Sequence, residues 1–195
     1  TTGPMTNLGM AIRMEPRIVP KIKRIVLMGG AYTNGNVTPA AEFNIIADAD
    51  AAYVCFTSGR PITMIGLDVT RKALCYPSIV DRMDKIGNKA SKLFVDLMRH
   101  FCKSQKEVFG WEGGPLHDPI TIAWLIDPSV VETKPMHAEI DIRSVQSYGR
   151  TNCDFFGYQK LEPNADVGIG IDAYCCKNRQ SRQFHCFRIH QNHFH

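Results

Sequence analysis

The stretch "RIVLMGG", Arg24–Gly30, is a continuous apolar run that ends in two glycines. Such a run is typical of a strand buried in a parallel sheet. A second apolar run, "PITMIGLDVT" at Pro61–Thr70, indicates a second buried strand. Between them, Asp48–Phe56 has acids at its start and Gly59 beyond its end, which indicates a helix. The alternation of strand and helix predicts an α/β fold with a mostly parallel sheet flanked by helices.

Further elements follow from the pattern of apolar residues and helix caps. Helices are predicted at Thr6–Met14, Pro77–Lys85 and Ala90–Phe109, and a further one with Asp118 as N-cap and Pro119 as first residue. Segments of β character are predicted at Met136–Ile142, Ser147–Cys153 and Asp166–Asp172.

The helix predicted at Ala90–Phe109 carries one apolar stripe with a glutamine in it. Its members recur at three- and four-residue spacing and are Phe94, Met98, Phe101 and Val108. Gln105 falls in this stripe, four residues before Phe109. A glutamine there either marks the point where the helix leaves the core or faces a polar ligand.

Length and composition indicate one globular body followed by a different kind of tail. The chain has 195 residues, 44% of them hydrophobic, which is enough for a real core. No apolar run reaches the roughly 18 residues of a membrane span, and no signal peptide opens the chain. The net charge of +4 belongs entirely to residues 173–195, so the body gives no warrant for a nucleic-acid surface.

The cysteines favour a reducing compartment. There are seven, an odd number, and those of the body are scattered through apolar segments. That distribution fits a cytoplasmic protein better than a disulfide framework.

The tail, residues 173–195, is unusually rich in cysteine and histidine. Candidate zinc ligands in it are Cys175, Cys176, Cys186, His185 and His190. A structural zinc site usually pairs its cysteines as C-x₂₋₄-C, and the adjacent Cys175 and Cys176 lack that spacing. A disordered or non-native tail is favoured over a zinc site, and residues 1–172 are taken as the folded domain.

The block "GNVTPAAEFN", Gly35–Asn44, concentrates polar side chains just after the first predicted strand. Asn36, Glu42 and Asn44 stand close together among small and apolar residues. In parallel sheets ligands bind at the carboxyl ends of the strands. The block is therefore the leading candidate for a binding site.

Four segments together carry a resemblance to a known family. They are "TTGPMTNLGMAIRMEP", "IVLMGGAYTNGNVTPAAEFNIIADADAA", "PITMIGLDVT" and "HDPITIAWLIDPS". In this order they resemble the inosine–uridine-preferring nucleoside hydrolases, over Thr1 to about Asp172. The segments "YGRTNCD" and "KSQKEVF" look most like the bacterial pyrimidine-specific members. The resemblance implies hydrolysis of the N-glycosidic bond of ribonucleosides, with uridine and cytidine as the expected substrates.

The resemblance also implies roles for individual residues on the sugar. Asn36, Glu42 and Asn44 would hydrogen-bond the ribose hydroxyls, and Met28 would line the same pocket. Amide and carboxylate groups suit this task because ribose offers several hydroxyls that both donate and accept hydrogen bonds.

Other roles implied by the resemblance concern the base. His117 would lie near the leaving base and help to protonate it, which suits a histidine near neutral pH. Gln105 would contact the base. Phe109 stands where the pyrimidine-specific members carry a tyrosine, so this chain lacks that hydroxyl.

The family binds one calcium ion, and this chain matches only part of the calcium site. Asp118 would be a ligand, and the backbone carbonyl of Thr2 another. The aspartate-rich DxDxxxDD signature of the family, which supplies most of the carboxylates and activates water, is absent from the 195 residues. One carboxylate and one carbonyl are too few for tight calcium binding. We therefore expect an N-terminally truncated fragment or processed product that is catalytically incomplete, with poor stability alone.

Other functions compete with this one. The chain could bind ribose or nucleosides without cleaving them, or it could be a zinc-binding protein by virtue of its tail. The resemblance favours the enzyme lineage, with a small ribonucleoside as partner, no nucleic acid or membrane as partner, and a homo-oligomer for the full-length protein.

Overall fold

The computed structural model describes residues 1–171 of the chain. Within this range the helices are α1 Thr6–Met14, α2 Phe43–Ile46, α3 Ala49–Phe56, α4 Leu67–Thr70, α5 Pro77–Asp84, α6 Lys89–Phe109 and α7 His117–Ile126. The strands are β1 Ile25–Met28, β2 Ile62–Ile65, β3 Leu74–Cys75, β4 Gly114–Pro115, β5 Val131–Met136, β6 Ala138–Ile140, β7 Thr151–Cys153 and β8 Ala165–Ile171. Short 3₁₀ turns cover Pro16–Lys21 and Pro128–Val130.

The main sheet has the strand order β1-β2-β8-β5. β1 pairs with β2, and β2 with β8, in parallel, whereas β5 runs antiparallel to β8. All four residues of β2 are buried, as its apolar sequence predicts. The predicted α/β fold with a mostly parallel sheet is thus confirmed. β3 pairs with β4 and β6 with β7 in two small antiparallel ribbons.

The hydrophobic core forms mainly between the sheet and the helices α1 and α3. Its fully buried members include Met5, Leu27, Ile45 and Met64. A second cluster joins α5 and α6 to β3 through Val80, Val95 and Met98, among others. The β1 side of the sheet and the α6 region therefore rest on separate cores.

The helix boundaries largely follow the capping residues. Asp48 caps α3 by accepting a hydrogen bond from Ala51 N–H at 3.0 Å, which confirms the predicted start. Asn88 caps α6 through Ser91 N–H at 2.8 Å. Gly110 ends α6 with a φ of 72°, a conformation that glycine adopts without strain.

The predicted strand Pro61–Thr70 is too long. β2 ends at Ile65, and the chain turns at Gly66 into the single helical turn α4. A Cβ atom at Gly66 would lie 2.6 Å from the carbonyl oxygen of Gly30, at the end of β1. The N–H of Leu67 donates to the same oxygen at 2.9 Å. The ends of β1 and β2 therefore approach so closely that β2 cannot continue past Gly66.

Strand β5 was not predicted from the sequence. Its residues "VETKPM" carry a glutamate, a lysine and a proline, which do not form an apolar run. Among residues 1–171, β5 lies at the edge of the sheet, where charged residues and proline are tolerated because no described strand pairs with its outer side.

The prediction of Asp118 as a helix N-cap is wrong. Helix α7 begins one residue earlier, at His117, and Leu116 occupies the cap position without a side-chain cap. The N–H of Leu116 donates to the carbonyl of Ala73 at 2.8 Å, which fixes the chain before the helix. Asp118 therefore lies in the first turn of α7, with its carboxylate available for another purpose.

The apolar stripe predicted on α6 is only partly buried. Met98 is buried, but Val108 and Phe109 are 67% and 59% exposed. The last turn of α6 therefore extends beyond its core. Among residues 1–171, no helix combines the length and the hydrophobicity needed to cross a membrane.

Candidate active site

The loop Gly35–Ala41 after β1 closes on itself through its backbone. The N–H groups of Asn36 and Val37 both donate to the carbonyl of Ala41, at 3.1 and 3.2 Å. The hydroxyl of Thr38 accepts from Ala41 N–H at 2.9 Å. A Cβ atom at Gly35 would lie 2.2 Å from the carbonyl oxygen of Ala41, so only glycine fits there. The loop is thus a compact ring, and Glu42, which follows it directly, lies at the end of β1.

Glu42 is the buried carboxylate of this region, with 3% of its surface exposed. One carboxylate oxygen accepts from Gly30 N–H at 2.8 Å, and the other accepts from Asn44 N–H at 2.9 Å. Burial raises the pKa of Glu42, the backbone hydrogen bonds oppose that shift, and the charge of Asp118 adds to it. Each oxygen keeps a lone pair for a further donor, such as a ligand hydroxyl.

Asn44 completes a group with Glu42 and Met28 at the carboxyl end of β1. Its side-chain N–H₂ donates to the carbonyl of Met28 at 3.1 Å and lies 3.3 Å from the Met28 sulfur. Its carbonyl oxygen accepts no hydrogen bond from any residue in the range 1–171. The structure therefore brings Met28, Glu42 and Asn44 together, as the resemblance implies.

Asn36 is placed differently. Its side-chain oxygen accepts from Phe43 N–H at 2.9 Å, and the residue is exposed. Asn36 therefore joins the start of the ring to the start of α2. It lies beside the Glu42 segment, with its N–H₂ group pairing with no other described residue.

His117 is held by Thr70, which follows β2, the strand next to β1 in the sheet. Its Nδ1 lies 2.8 Å from the hydroxyl oxygen of Thr70, which is fully buried at the end of α4. Burial lowers the pKa of His117, and the positive charge of Arg71 lowers it further. Because Nδ1 is engaged by Thr70, Nε2 is the ring nitrogen that remains for a ligand.

Asp118 lies close enough to Glu42 for its charge to act on that carboxylate. Burial raises the pKa of Asp118, and the Thr1 ammonium group opposes that shift. The N-terminal residue itself lies along β1, since Thr1 N donates to the carbonyl of Val26 at 2.7 Å and Met28 N donates to the carbonyl of Thr1 at 2.9 Å. Thr2 therefore follows directly from the edge of β1 near Met28.

The residues present do not supply a complete calcium site. Within residues 1–171, no three side chains of histidine, cysteine, aspartate or glutamate cluster in a way that could hold a metal ion. Calcium takes six to eight oxygen ligands, roughly. Asp118 and the carbonyl of Thr2 fall well short of that number, so no step of the chemistry is assigned to a metal here. The zinc ligands predicted in the tail lie outside the described residues.

Gln105 and Phe109, the predicted contacts to the base, lie on the last turns of α6. Gln105 is half-buried, and the Phe109 ring stacks on Trp111 with centroids 5.1 Å apart. Within residues 1–171, no hydrogen bond or ring contact joins either side chain to His117 or to Glu42. The structure therefore does not bring these two residues into contact with the rest of the site.

Sequence reasoning missed several polar residues that hold the site together. Asp68 accepts from Tyr32 N–H at 2.8 Å and from the hydroxyl of Thr33. Arg71 donates to the carbonyl of Gly35 at 2.9 Å. Asp68 belongs to α4, "LDVT", and Arg71 is the C-cap residue directly after it. Polar residues three positions apart after a glycine were a signal for a helical turn that the prediction of a long strand obscured.

Thr151 is a further residue that the prediction missed. It is buried, and its hydroxyl accepts from Ala31 N–H at 3.0 Å and donates to the Ala31 carbonyl at 2.6 Å. It thus supports the chain just after Gly30. Its segment "YGRTNCD" was singled out by the resemblance, but without a role for the threonine.

Comparisons with known proteins identify the family. Residues 1–178 match the family model described as inosine-uridine preferring nucleoside hydrolase. The chain is 49% identical over 170 residues to a pyrimidine-specific ribonucleoside hydrolase of Shigella flexneri, covering 87% of this chain and 54% of that protein. It is 50% identical to the putative pyrimidine-specific enzyme of Shigella boydii, covering 87% of this chain and 70% of that protein.

Solved structures show the same likeness. The purine-preferring ribonucleoside hydrolase from Gardnerella vaginalis superposes with a TM-score of 0.80 at 38% identity, over 88% of this chain and 54% of that one. A plant nucleoside hydrolase gives a TM-score of 0.78 at 27% identity, over 88% and 57%. This chain spans about half the length of most of the relatives it matches. The chain belongs to the inosine-uridine preferring nucleoside hydrolase family.

Proposed function

We propose that this chain carries the ribose-binding and base-protonating part of a ribonucleoside hydrolase that cleaves pyrimidine nucleosides to ribose and free base. The observation that carries the proposal is the group of Met28, Glu42 and Asn44 at the end of β1, with Asp118 at the start of α7, next in sequence to His117, close enough for its charge to raise the pKa of Glu42. The pyrimidine preference is supported by the names of the Shigella relatives.

The proposed roles follow from the free hydrogen-bonding capacity of each group. Glu42 accepts from ribose hydroxyls with its remaining lone pairs, and the Asn44 oxygen accepts from another. Asn36 offers its N–H₂ group from the ring. The buried charge of Glu42 also stabilises the positive charge that develops on the sugar as the glycosidic bond breaks.

His117 is proposed to protonate the leaving base as the imidazolium: it gives up the Nε2 proton and keeps the Nδ1 proton, which it donates to the Thr70 hydroxyl. A free pyrimidine anion is a poor leaving group, so a positioned acid lowers the barrier, typically by a factor of about 10²–10⁴. Gln105 and Phe109 are proposed to reach the base from the end of α6, where they share one helix face at i and i+4.

We further propose that the chain alone is catalytically incomplete. The support is its shortage of oxygen ligands for calcium and the absence of the family's aspartate-rich signature. Asp118 and the Thr2 carbonyl are the proposed part of that calcium site which the chain contains. Water activation is assigned to no residue of this chain.

The test separates binding from turnover. Ribose binding to the purified chain is measured by calorimetry, and ribose release is assayed with uridine, cytidine and inosine, with calcium and with a chelator. We expect ribose binding without release. Failure to bind ribose would contradict the proposed site, and calcium-dependent release would contradict the proposed incompleteness.

A second candidate function is a nucleoside-binding module without turnover in any form. The observation that favours it is that hydrogen bonds within the protein already position Glu42 and Asn44 without a metal. Supplying the aspartate-rich segment as a second polypeptide distinguishes the two. Release of ribose in the mixture supports the hydrolase, and continued binding without release supports the module.

Location and assembly are also proposals. A cytoplasmic location is supported by Cys55, Cys75, Cys102 and Cys153, which are free thiols in the structure. Self-association is supported by Ile122, Leu125 and Ile126, exposed on α7 by more than half of their surface. A stable monomer in analytical sedimentation would contradict self-association and the expected poor stability.

A further inference from the structure

The single helical turn α4 contacts two separate parts of the candidate site. Asp68 and Arg71 are three residues apart, so they share one face of the turn. Both reach the loop that follows β1, Asp68 at Tyr32 and Arg71 at Gly35. Thr70 lies two residues from Asp68 and therefore points to a different side, where it meets His117. α4 thus joins the ribose loop to the start of α7.

Thr70 has the properties of a residue that orients a catalytic side chain. It is fully buried, and among residues 1–171 its hydroxyl contacts His117 alone. The backbone of Thr70 is fixed independently, since its N–H donates to the carbonyl of Gly66 at 3.1 Å. Gly66 in turn lies against the end of β1. The hydroxyl therefore stands at a defined position relative to both strand ends.

The contact determines which nitrogen of His117 faces the substrate. A threonine hydroxyl can donate to Nδ1 or accept from Nδ1–H, and in either case Nδ1 is occupied. Without the hydroxyl, either nitrogen could carry the proton, and the ring could turn about its side-chain torsions. Misplacing the acid lowers the reaction rate strongly, because proton transfer requires the acid to lie within hydrogen-bond distance of the leaving atom.

We propose that Thr70 is a positioning residue that holds His117 with Nε2 directed at the leaving base. This inference rests on the proposed function, but it concerns a contact that exists in the chain as it stands. It assigns to the "GLDVT" segment a role in protonating the base, which is distinct from binding the sugar. Thr70 itself touches no substrate.

Two substitutions separate the hydroxyl from the shape of the side chain. Thr70→Val removes the hydroxyl and keeps the branched shape, whereas Thr70→Ser keeps the hydroxyl. Thr63→Val is the matched control, because Thr63 is also fully buried, lies on β2, and uses its hydroxyl to bind Arg24 at 2.8 Å instead of His117. The control removes one buried hydroxyl without touching the site.

The first readout is independent of hydrolysis. Long-range ¹H–¹⁵N correlation spectra of the labelled chain report which nitrogen of His117 carries the proton, with His117→Gln used to assign the signal. We expect the neutral ring to carry its proton on Nδ1 in the wild-type chain, in Thr70→Ser and in Thr63→Val, since this is the form left after Nε2 delivers a proton, and we expect a mixture or a change of tautomer in Thr70→Val. An unchanged single tautomer in Thr70→Val overturns the proposal.

The second readout uses two substrates, with the chain and the supplied aspartate-rich segment. Uridine needs protonation of its base, whereas 4-nitrophenyl riboside has a leaving group that departs without it. We expect Thr70→Val to lower kcat for uridine by about 10- to 100-fold, part of the usual range for an acid, and for the nitrophenyl riboside by no more than about threefold. Equal losses on both substrates overturn the proposal.

These readouts distinguish failure of the proposal from failure of the proposed function. If the wild-type mixture cleaves neither substrate, the hydrolase function is contradicted, and the spectra still decide whether Thr70 positions His117. If both substrates are cleaved but Thr70→Val behaves like Thr63→Val, the function stands and Thr70 has no positioning role.

Discussion

The sugar side and the base side of the candidate site are built differently. We call Met28, Glu42, Asn44 and the ring Gly35–Ala41, where ribose is proposed to bind, the sugar side. We call the proposed base contacts Gln105 and Phe109, together with Trp111 on which Phe109 stacks, the base side. On the sugar side, backbone N–H groups hold both oxygens of Glu42, and the ring closes on its own carbonyls. On the base side, Phe109 is 59% exposed and contacts only Trp111 among described ring partners.

The difference indicates where the two sides obtain their order. On the sugar side the side chains of Glu42 and Asn44 already hydrogen-bond to the protein, so binding there loses little side-chain freedom. On the base side the exposed Phe109 ring leaves apolar surface for a ligand to cover. Every ribonucleoside has the same ribose and differs in its base. A preformed site for the ribose and a looser contact with the base therefore suit substrates that share the sugar and differ in the base.

The largest effect on stability and ribose affinity is expected from substitution of Glu42 on the sugar side. In Glu42→Gln the amide N–H₂ must face an N–H donor, of either Gly30 or Asn44, because both carboxylate oxygens accept hydrogen bonds. We expect the free energy of unfolding to fall by about 1–3 kcal/mol and ribose affinity to fall at least about tenfold. Urea unfolding and calorimetry measure the two effects.

Glu139→Gln is the matched control for this change. Glu139 lies on β6 with its side chain 58% exposed, near His137 at 3.5 Å. Its substitution should change the free energy of unfolding by no more than about 0.5 kcal/mol. Equal effects at Glu42 and Glu139 would show that the buried hydrogen bonds do not govern the sugar side.

A smaller effect is expected from adding a side chain at Gly35, inside the backbone ring Gly35–Ala41. In Gly35→Ala the new methyl group would overlap the carbonyl oxygen of Ala41 at 2.2 Å, so the ring must open. We expect a loss of about 1–3 kcal/mol in unfolding free energy, with weaker ribose binding. Gly3→Ala serves as control for stability, since a Cβ there meets nothing within 4 Å. Full stability of Gly35→Ala would mean that the ring is not rigid.

The base side should respond in affinity but not in stability. Phe109→Tyr adds a hydroxyl to an exposed ring, so unfolding free energy should stay within about 0.5 kcal/mol of wild type. One added hydrogen bond to the base should raise uridine affinity by about two- to tenfold. Val108→Thr, at the neighbouring exposed position, should change neither quantity. A stability loss in Phe109→Tyr would mean that this side is packed after all.

The smallest effect expected is a difference in reactivity between two thiols, Cys153 on β7 and Cys102 on α6, three residues before Gln105. Burial raises the pKa of Cys153, two residues after Thr151, to about 12. Cys102 on α6 lines a surface cavity with Lys103 and Lys106. Iodoacetamide at pH 8, followed by peptide mass spectrometry, should modify Cys102 several-fold faster than Cys153. Faster modification of Cys153 would indicate that β7 opens readily.

The sequence predicted those elements whose signal is local. β1 and β2 were recognisable because a strand buried on both faces must be apolar throughout, and α3 because Asp48 marks its start. β5 was missed because its edge position permits charges and proline. The sequence places Val108 in the apolar stripe because periodicity does not show where a helix extends beyond the core on which it packs.

The candidate site was less accessible to sequence reasoning. Glu42 and Asn44 stand out in the sequence as polar residues just after the first strand, and the resemblance assigns roles to them and to His117. Thr70 meets His117 across a separation of 47 residues, and Arg71 meets Gly35 across 36. Such pairs depend on how closely the strand ends approach, which no local pattern encodes. Asp118 was taken for a cap because an aspartate before proline has that local meaning, whereas the fold starts the helix earlier.

The close approach of Gly66 to the Gly30 carbonyl has an evolutionary consequence. The spacing between the ends of β1 and β2 is set by main-chain atoms, with 2.6 Å left for any Cβ at position 66. Exchanging side chains cannot widen or narrow that spacing in small steps. A change of substrate that leaves the two strand ends in place must therefore act through side chains elsewhere. The end of α6, where Val108 and Phe109 are 67% and 59% exposed, is one part of the described chain where such changes cost little stability.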